Sequence, residues 1–284
     1  MNVNKSYSAR LRGKKVWIYL VSLFLSALSL MPFLIMFVNA TRENYAIQQG
    51  ISLIPGNMLK ANMETLQNRQ NFDVVRGMWN SFQISSLSTV LALYFSSLTA
   101  YGLVVYRFKG RSAAFAFIMA VMMIPTQVSI VGFYTFMFRL GLTNTFWPLI
   151  LPAIASPAVV FFMRQYMLSA LPLDIVEAAR IDGSGEWGTF NTIALPLLKP
   201  ALATQAIFIF IGSWNRLFEP TMIISSQSKY TMPMLVALLR SDRFRTDYGT
   251  VYLALSLTVL PLFVVYFLLS KHIIRGVALG GVKE

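Results

Sequence analysis

Residues 16–38 run without a single charged side chain. A helix needs about 20 mostly apolar residues to cross the ~30 Å hydrocarbon core of a bilayer. The run is too long for the apolar core of a cleaved secretory leader, and it lacks a small-residue cleavage site. Lipid is therefore the solvent in which this fold is to be read. Five further apolar stretches follow, at 81–106, 113–138, 147–168, 201–218 and 250–270. In hydrocarbon the backbone must satisfy its own hydrogen bonds, which apolar runs of this length do as helices. The composition agrees: 56% of the chain is hydrophobic, 12% is charged, and the mean hydropathy is +0.60. These features predict an all-α integral membrane protein with six transmembrane helices. The fifth is the shortest and carries Trp214, Asn215 and Arg216 near its end.

Basic residues set the orientation, because short cytoplasmic segments are enriched in Lys and Arg. The first fifteen residues contain Lys5, Arg10, Arg12, Lys14 and Lys15 and no acid, and the link after the second stretch contains Arg107, Lys109 and Arg111. Both read as cytoplasmic. Six crossings return the C-terminus, with Lys271, Arg275 and Lys283, to the same side. The expected layout is a cytoplasmic tail (1–15), a first membrane helix (16–38), an extracytoplasmic loop (39–79), a five-helix core (80–272) holding a cytoplasmic segment at 171–200, and a cytoplasmic tail (273–284). The net charge of +13 fits loops facing anionic lipid better than nucleic acid. One loop breaks the pattern: Lys229, Arg240, Arg243 and Arg245 fall on the outer side by span count. Prolines at 32, 125, 148, 152, 157 and 261 predict kinks within or beside the spans.

The cytoplasmic segment 171–200 reads as a short helix with a hard stop. Pro172 suits a first turn, Asp174 the positive end of the helix dipole, and Gly183 the left-handed residue that ends it. Ile175, Val176, Ala178, Ala179 and Ile181 give an apolar, small-residue surface, and Glu177 and Arg180 have the spacing of an i, i+3 pair. About ten residues make a helix too short to stand alone in water, so it needs a surface to lie on. Gly183, Gly185 and Gly188 match G-x-G-x-x-G, but that dinucleotide fingerprint requires a preceding buried strand. The match is fortuitous. No G-x-x-x-x-G-K-[ST] loop occurs either, so ATP chemistry of that type must come from another subunit.

Glu177, Ala178 and Ala179, then Gly183, Ile193, Leu195 and Pro196, reproduce the pattern EAA-x3-G-x9-I-x-LP. In this the chain resembles the permease subunits of bacterial ATP-binding-cassette importers. Trp214, Asn215, Glu219 and Pro220 and the ending Gly281–Lys283 make it most similar to the maltose-type carbohydrate permeases. The resemblance implies a multi-pass protein of the bacterial cytoplasmic membrane that takes up a sugar or oligosaccharide. It further implies a second related permease, two ATPase subunits that bind ATP and Mg, and an extracytoplasmic binding protein. This chain itself would bind no cofactor and would not be an enzyme. Glu177, Ala178, Ala179, Arg180, Asp182 and Gly183 become the candidate ATPase-coupling residues. Lys229, Arg240, Arg243 and Arg245 become candidates for contact with the binding protein, or for attraction of an anionic sugar.

Polar residues at membrane depth face protein or a watery cavity. Asn80, Gln83, Gln127, Trp214, Asn215 and Arg216 are the candidates for a substrate path, with interhelical hydrogen bonding as the alternative. Ser85, Ser86, Ser88, Ser96, Ser97 and Thr99 read as packing residues. A secondary transporter would need intramembrane ionisable residues or inverted repeats; the spans show almost none of the former and no sign of the latter. A membrane-embedded enzyme or metal site is disfavoured by the absence of cysteine and the single histidine, His272. An importer of a non-sugar solute is the alternative within the same class.

Overall fold

The structure, a computed structural model, describes residues 3–69, 72–240 and 246–280. Every regular element among them is helical. The chain divides into two compact units, one formed by residues up to 72 with 239–257, the other by 73–238 with the chain from 258 onward. Arg243, Arg245 and the Gly281–Lys283 ending lie outside the described residues.

In the first unit, α1 (Val3–Asn39) is one helix that runs through the basic segment expected as a tail. Its most apolar window, within Lys15–Asn39, has no buried residue, so this face is left for lipid or another chain. The loop expected to be polar folds on α1's end as α2 (Asn44–Gln48) and α3 (Leu59–Asn68). Buried Asn62 donates its amide to the carbonyls of Ala40 (2.9 Å) and Arg42 (3.2 Å). Residues 248–257 close on the same loop, with the Tyr248 N–H donating to Asn44 Oδ1 at 3.0 Å. Gly249 is there because a Cβ would stand 2.8 Å from the Arg42 carbonyl oxygen and 2.7 Å from Asn62 Nδ2.

The second unit is built along α4 (Val74–Val105). It starts seven residues before the apolar run because Asp73 caps it, Oδ1 accepting from the Arg76 N–H at 2.9 Å. Ser81, Ser85, Ser88, Ala92, Ser96 and Ala100 recur every three or four residues and are all buried. Small side chains let neighbouring backbones approach closely; Ser88 Oγ reaches the Leu149 carbonyl at 3.2 Å. Of the expected packing residues, Ser85, Ser88, Ser96 and Ser97 are buried, Ser86 is half-buried and Thr99 is exposed.

The third apolar stretch is not one helix. It forms α5 (Arg111–Met122) and α6 (Thr126–Arg139), of 12 and 14 residues, or about 18 and 21 Å at 1.5 Å per residue. Pro125 sits extended between them (ψ 121°), since its ring disfavours a helical residue before it and removes an N–H. The fourth stretch holds together as α7 (Trp147–Ile150), a 3₁₀ turn at Leu151–Ile154 and α8 (Pro157–Ala170). After α9 (Leu173–Ile181) come α10 (Glu186–Thr189), a π turn at Phe190–Ala194 and α11 (Leu195–Leu197). This lead-in meets α12 (Lys199–Trp214) at a 79° bend. Beyond it, the described residues form α13 (Phe218–Ile223), a 3₁₀ turn at Gln227–Lys229, α14 (Met232–Leu239) and α15 (Tyr248–Gly280). Four segments are long and apolar enough to cross a membrane, namely Lys15–Asn39, Val74–Val105, Trp147–Ala170 and Tyr248–Ser270, and the bent pair ending in α12 makes a fifth. The sixth expected crossing is the stretch that Pro125 divides.

α8 and α12 pack along α4. An apolar cluster around Tyr101, Val104, Met163, Met167, Phe190 and Leu198 fills the C-terminal end of α4 and takes in Val176 of α9.

Candidate functional site

The sequence of α9 produces a helix with two different faces. Val176 and Ala179, three apart, are buried, Val176 within the cluster at the end of α4, while Glu177, Ala178, Arg180 and Asp182 are exposed. Ile181, 86% exposed, lies with them on the surface. The stop is built as the sequence predicts: Gly183 has φ +82°, and the N–H groups of Gly183 and Ser184 return to the carbonyls of Arg180 (3.1 Å) and Ala179 (2.9 Å). This is how a left-handed residue closes a helix end.

The expected Glu177–Arg180 pair does not form. Arg180, in the last turn, points past the stop to Glu186 at the start of α10, with Nε donating to Oε1 at 2.7 Å and Nη2 to Oε2 at 3.2 Å. Glu186 presents both carboxylate oxygens to the guanidinium fork, which a carboxylate one turn back along α9 does not match. The Tyr106 hydroxyl donates to Glu186 Oε2 at 2.5 Å, and the guanidinium lies 5.6 Å from the centre of the Tyr106 ring. Burial and the bond to Glu186 push the Tyr106 hydroxyl up to about 12, and the same carboxylate raises the Arg180 guanidinium above its ordinary value. Glu177 keeps its carboxylate on the rim of a groove of about 380 Å³, lined also by Val105, Tyr106, Arg107, Leu173, Val176 and Arg180. The arrangement suits contact with a second protein, since an exposed acid and exposed apolar side chains stand on a helix fixed from behind.

Residues 94–279 match the family model for the binding-protein-dependent transport system inner membrane component. The chain belongs to this family. It is 38% identical over 204 residues to the arabinooligosaccharides transport system permease protein AraQ of Halalkalibacterium halodurans, covering 72% of each chain. It is 30% identical over 256 residues to the lactose transport system permease protein LacG of Rhizobium radiobacter, covering 90% of this chain and 92% of that one. Its fold is similar to a chain of a bacterial ABC transporter involved in the import of the acidic polysaccharide alginate, with a TM-score of 0.78 at 22% identity over 93% and 97% of the two chains. The chain is thus a multi-pass inner-membrane permease, and the ATPase is a separate subunit.

Within the permease, the polar residues singled out as a path separate into two groups. Asn80 is buried and donates its amide to the carbonyls of Ser228 (3.0 Å) and Tyr230 (2.9 Å). Trp214 is 2% exposed, stacks on Phe210 at 5.7 Å and donates Nε1–H to the Thr258 carbonyl at 3.1 Å. Both side chains hold segments together. Gln83 is half-buried and Asn215 is exposed. Gln127 lies in α6, its side chain outside those described. Arg216 lines a largely apolar cavity of about 350 Å³ with Glu219, Ser129, Phe133, Pro148 and Pro152.

Of the four basic residues expected on the outer side, Lys229 donates Nζ–H to the Asn144 carbonyl. Asn144 (φ +57°) also receives the N–H groups of Ser225 and Ser226 on Oδ1, at 3.2 and 3.0 Å. Lys229 is therefore a strut of the fold. Arg240 is exposed and lines a cavity of about 520 Å³ with Tyr248, Val251 and Tyr252. Sequence reasoning passed over Glu186, Tyr106 and Asn144. Glu186 follows Arg180 across a Gly-Ser-Gly link, and no helical period connects the two. Tyr106 stands 80 positions before Glu186 in the chain, so periodicity carries no signal for it.

Proposed function

We propose that this permease forms half of the translocation pathway of an ATP-driven importer for a sugar or oligosaccharide. Its partners are a second, related permease, two ATP-binding-cassette subunits that hold ATP and Mg, and an extracytoplasmic binding protein that delivers the cargo. α9 is the coupling helix. The observation that carries this reading is the two-faced build of α9: Val176 and Ala179 are anchored in the core, while Glu177, Ala178 and Ile181 face outward. Among the described residues Glu177 has no hydrogen-bond or ion-pair partner. Each chain offers one such helix, so two permeases are needed for two ATPases. With α5 and α6 counted together as one crossing broken at Pro125, the chain crosses six times, and both termini and α9 share the cytoplasmic side.

The sugar class is supported by similarity to permeases named for arabinooligosaccharides and lactose. A neutral sugar is favoured over an anionic one, because Lys229, one of the four basic residues behind the anionic reading, is engaged within the fold. The test is a reconstituted importer given arabinooligosaccharides and lactose as probes. Glu177→Lys reverses the charge on the outer face, and Gly183→Val places a β-branched residue at φ +82°. Both variants are expected to insert in the membrane yet lose uptake and stimulated ATP hydrolysis. Survival of both activities in both variants would overturn the coupling assignment.

A further inference from the structure

The geometry points to Glu186 as a positioning residue: its carboxylate locks α9 to the C-terminal end of α4, so that a displacement of α9 is passed to the helical bundle. This rests on the reading of α9 as the coupling helix. The direct link from α9 to α10 is residues 182–185, Asp-Gly-Ser-Gly. A Cβ added at Gly183 or Gly185 would meet nothing within 4 Å, so side-chain packing does not stiffen these two positions, and the link is held by hydrogen bonds: the Gly183 and Ser184 N–H groups return to α9 carbonyls, and Thr189 Oγ1 stands 3.0 Å from Ser184 Oγ and 3.1 Å from the Gly185 carbonyl oxygen. Val176 packs the buried face of α9 against the cluster at the end of α4, which leaves the last turn of α9 to be braced by a polar contact.

The brace is the carboxylate of Glu186. It joins three elements at one point: the last turn of α9 through Arg180 (2.7 and 3.2 Å), the first residue of α10, and the residue capping α4 through Tyr106 (2.5 Å). Behind it the Tyr106 ring meets Tyr101 edge-on at 6.1 Å, and Tyr101 meets Phe190 at 5.2 Å. An unbroken aromatic path thus runs from the lock into the buried cluster beneath α9. An exposed ion pair alone holds little, but a two-pronged guanidinium–carboxylate contact with a third donor fixes direction as well as distance. The lock also neutralises Arg180, which leaves the exposed acids Asp174, Glu177 and Asp182 to set the charge of the neighbouring surface.

The chain has no native cysteine, so spin labels at Asp174→Cys and Lys109→Cys report the distance from α9 to the turn that follows α4 by pulsed electron resonance in the complete importer. The measurement is made without nucleotide and after trapping with ATP and vanadate. With the lock intact, one narrow distance distribution is expected in both states. Glu186→Gln, and Tyr106→Phe, which keeps the ring and removes one hydrogen bond, should each add a second population on trapping. Loss of such a contact shifts the locked-to-unlocked ratio up to about fivefold. Glu186→Asp should restore part of the narrow distribution. Identical distributions in wild type and both lock variants, or a wild-type distance that itself changes on trapping, would overturn the lock. Co-purification of the ATPase with Glu177→Lys reports separately on docking: undiminished recovery would refute the coupling reading, whereas reduced recovery with unaltered distances in the lock variants refutes the lock alone.

Discussion

Asn80→Ala separates a structural residue from a substrate-path residue. The Asn80 amide makes two hydrogen bonds, at 3.0 Å to the Ser228 carbonyl and 2.9 Å to the Tyr230 carbonyl. Each such bond contributes about 0.6–1 kcal/mol in a membrane protein. The two carbonyls left behind are not equivalent. Ser228 is exposed and its carbonyl can turn to water, whereas Tyr230 is half-buried, and an orphaned acceptor there costs about 1 kcal/mol more. The sum is about 2–3 kcal/mol, or a fall in melting temperature of roughly 4–10 °C for a chain of this size. The assay is the loss of the monodisperse peak on size exclusion after heating in detergent, wild type against variant, alongside uptake at a temperature where both are folded. A lower melting temperature with unchanged substrate KM is expected. An unchanged melting temperature with a raised KM would refute the reasoning and return Asn80 to the substrate path.

Gly249→Ala should destabilise the first unit by roughly 1–3 kcal/mol, because its Cβ would stand 2.8 Å from the backbone oxygen of Arg42 and cannot be relieved by a rotamer change; faster proteolysis within residues 40–69 would report it, and wild-type resistance would count against the packing described. Tyr106 titrates at 10.0 when unperturbed and at about 12 in the fold, so the folded state favours the neutral phenol, and its contribution is complete below pH 10 and lost as the pH rises through 12. The stability difference between wild type and Tyr106→Phe should accordingly be flat from neutral pH to about 10 and shrink above it; a decline starting near neutrality would contradict the bond to Glu186. For topology, Lys60→Cys is the outer probe, since the Lys60 side chain is 92% exposed whereas Asn62 is buried and bonded. It should react with an impermeant thiol reagent in intact cells, and Asp182→Cys should react only after permeabilisation; the reverse result would invert the proposed orientation.

The sequence by itself determined the class of fold and the position of α9. Uncharged runs near twenty residues have one stable form in lipid, and the stop at Gly183 is local backbone chemistry, so both were legible without tertiary information. Pro125 marked the third stretch as bent, but local pattern does not say whether a proline kinks a span or divides it, because that depends on whether neighbouring helices can satisfy the freed carbonyls. Partner choice was beyond reach for the same reason. Spacing offered Arg180 the acid at 177, and the tertiary fold gave it Glu186 and brought up Tyr106 from 80 positions away. The polar residues show the limit most plainly: Asn80, Trp214 and Lys229 have the chemistry of a binding site, yet the fold spends them on the carbonyls of Ser228, Tyr230, Thr258 and Asn144. A donor in a membrane protein takes the acceptor that packing sets before it, and which acceptor that is depends on distances between segments, which no local pattern in the chain encodes.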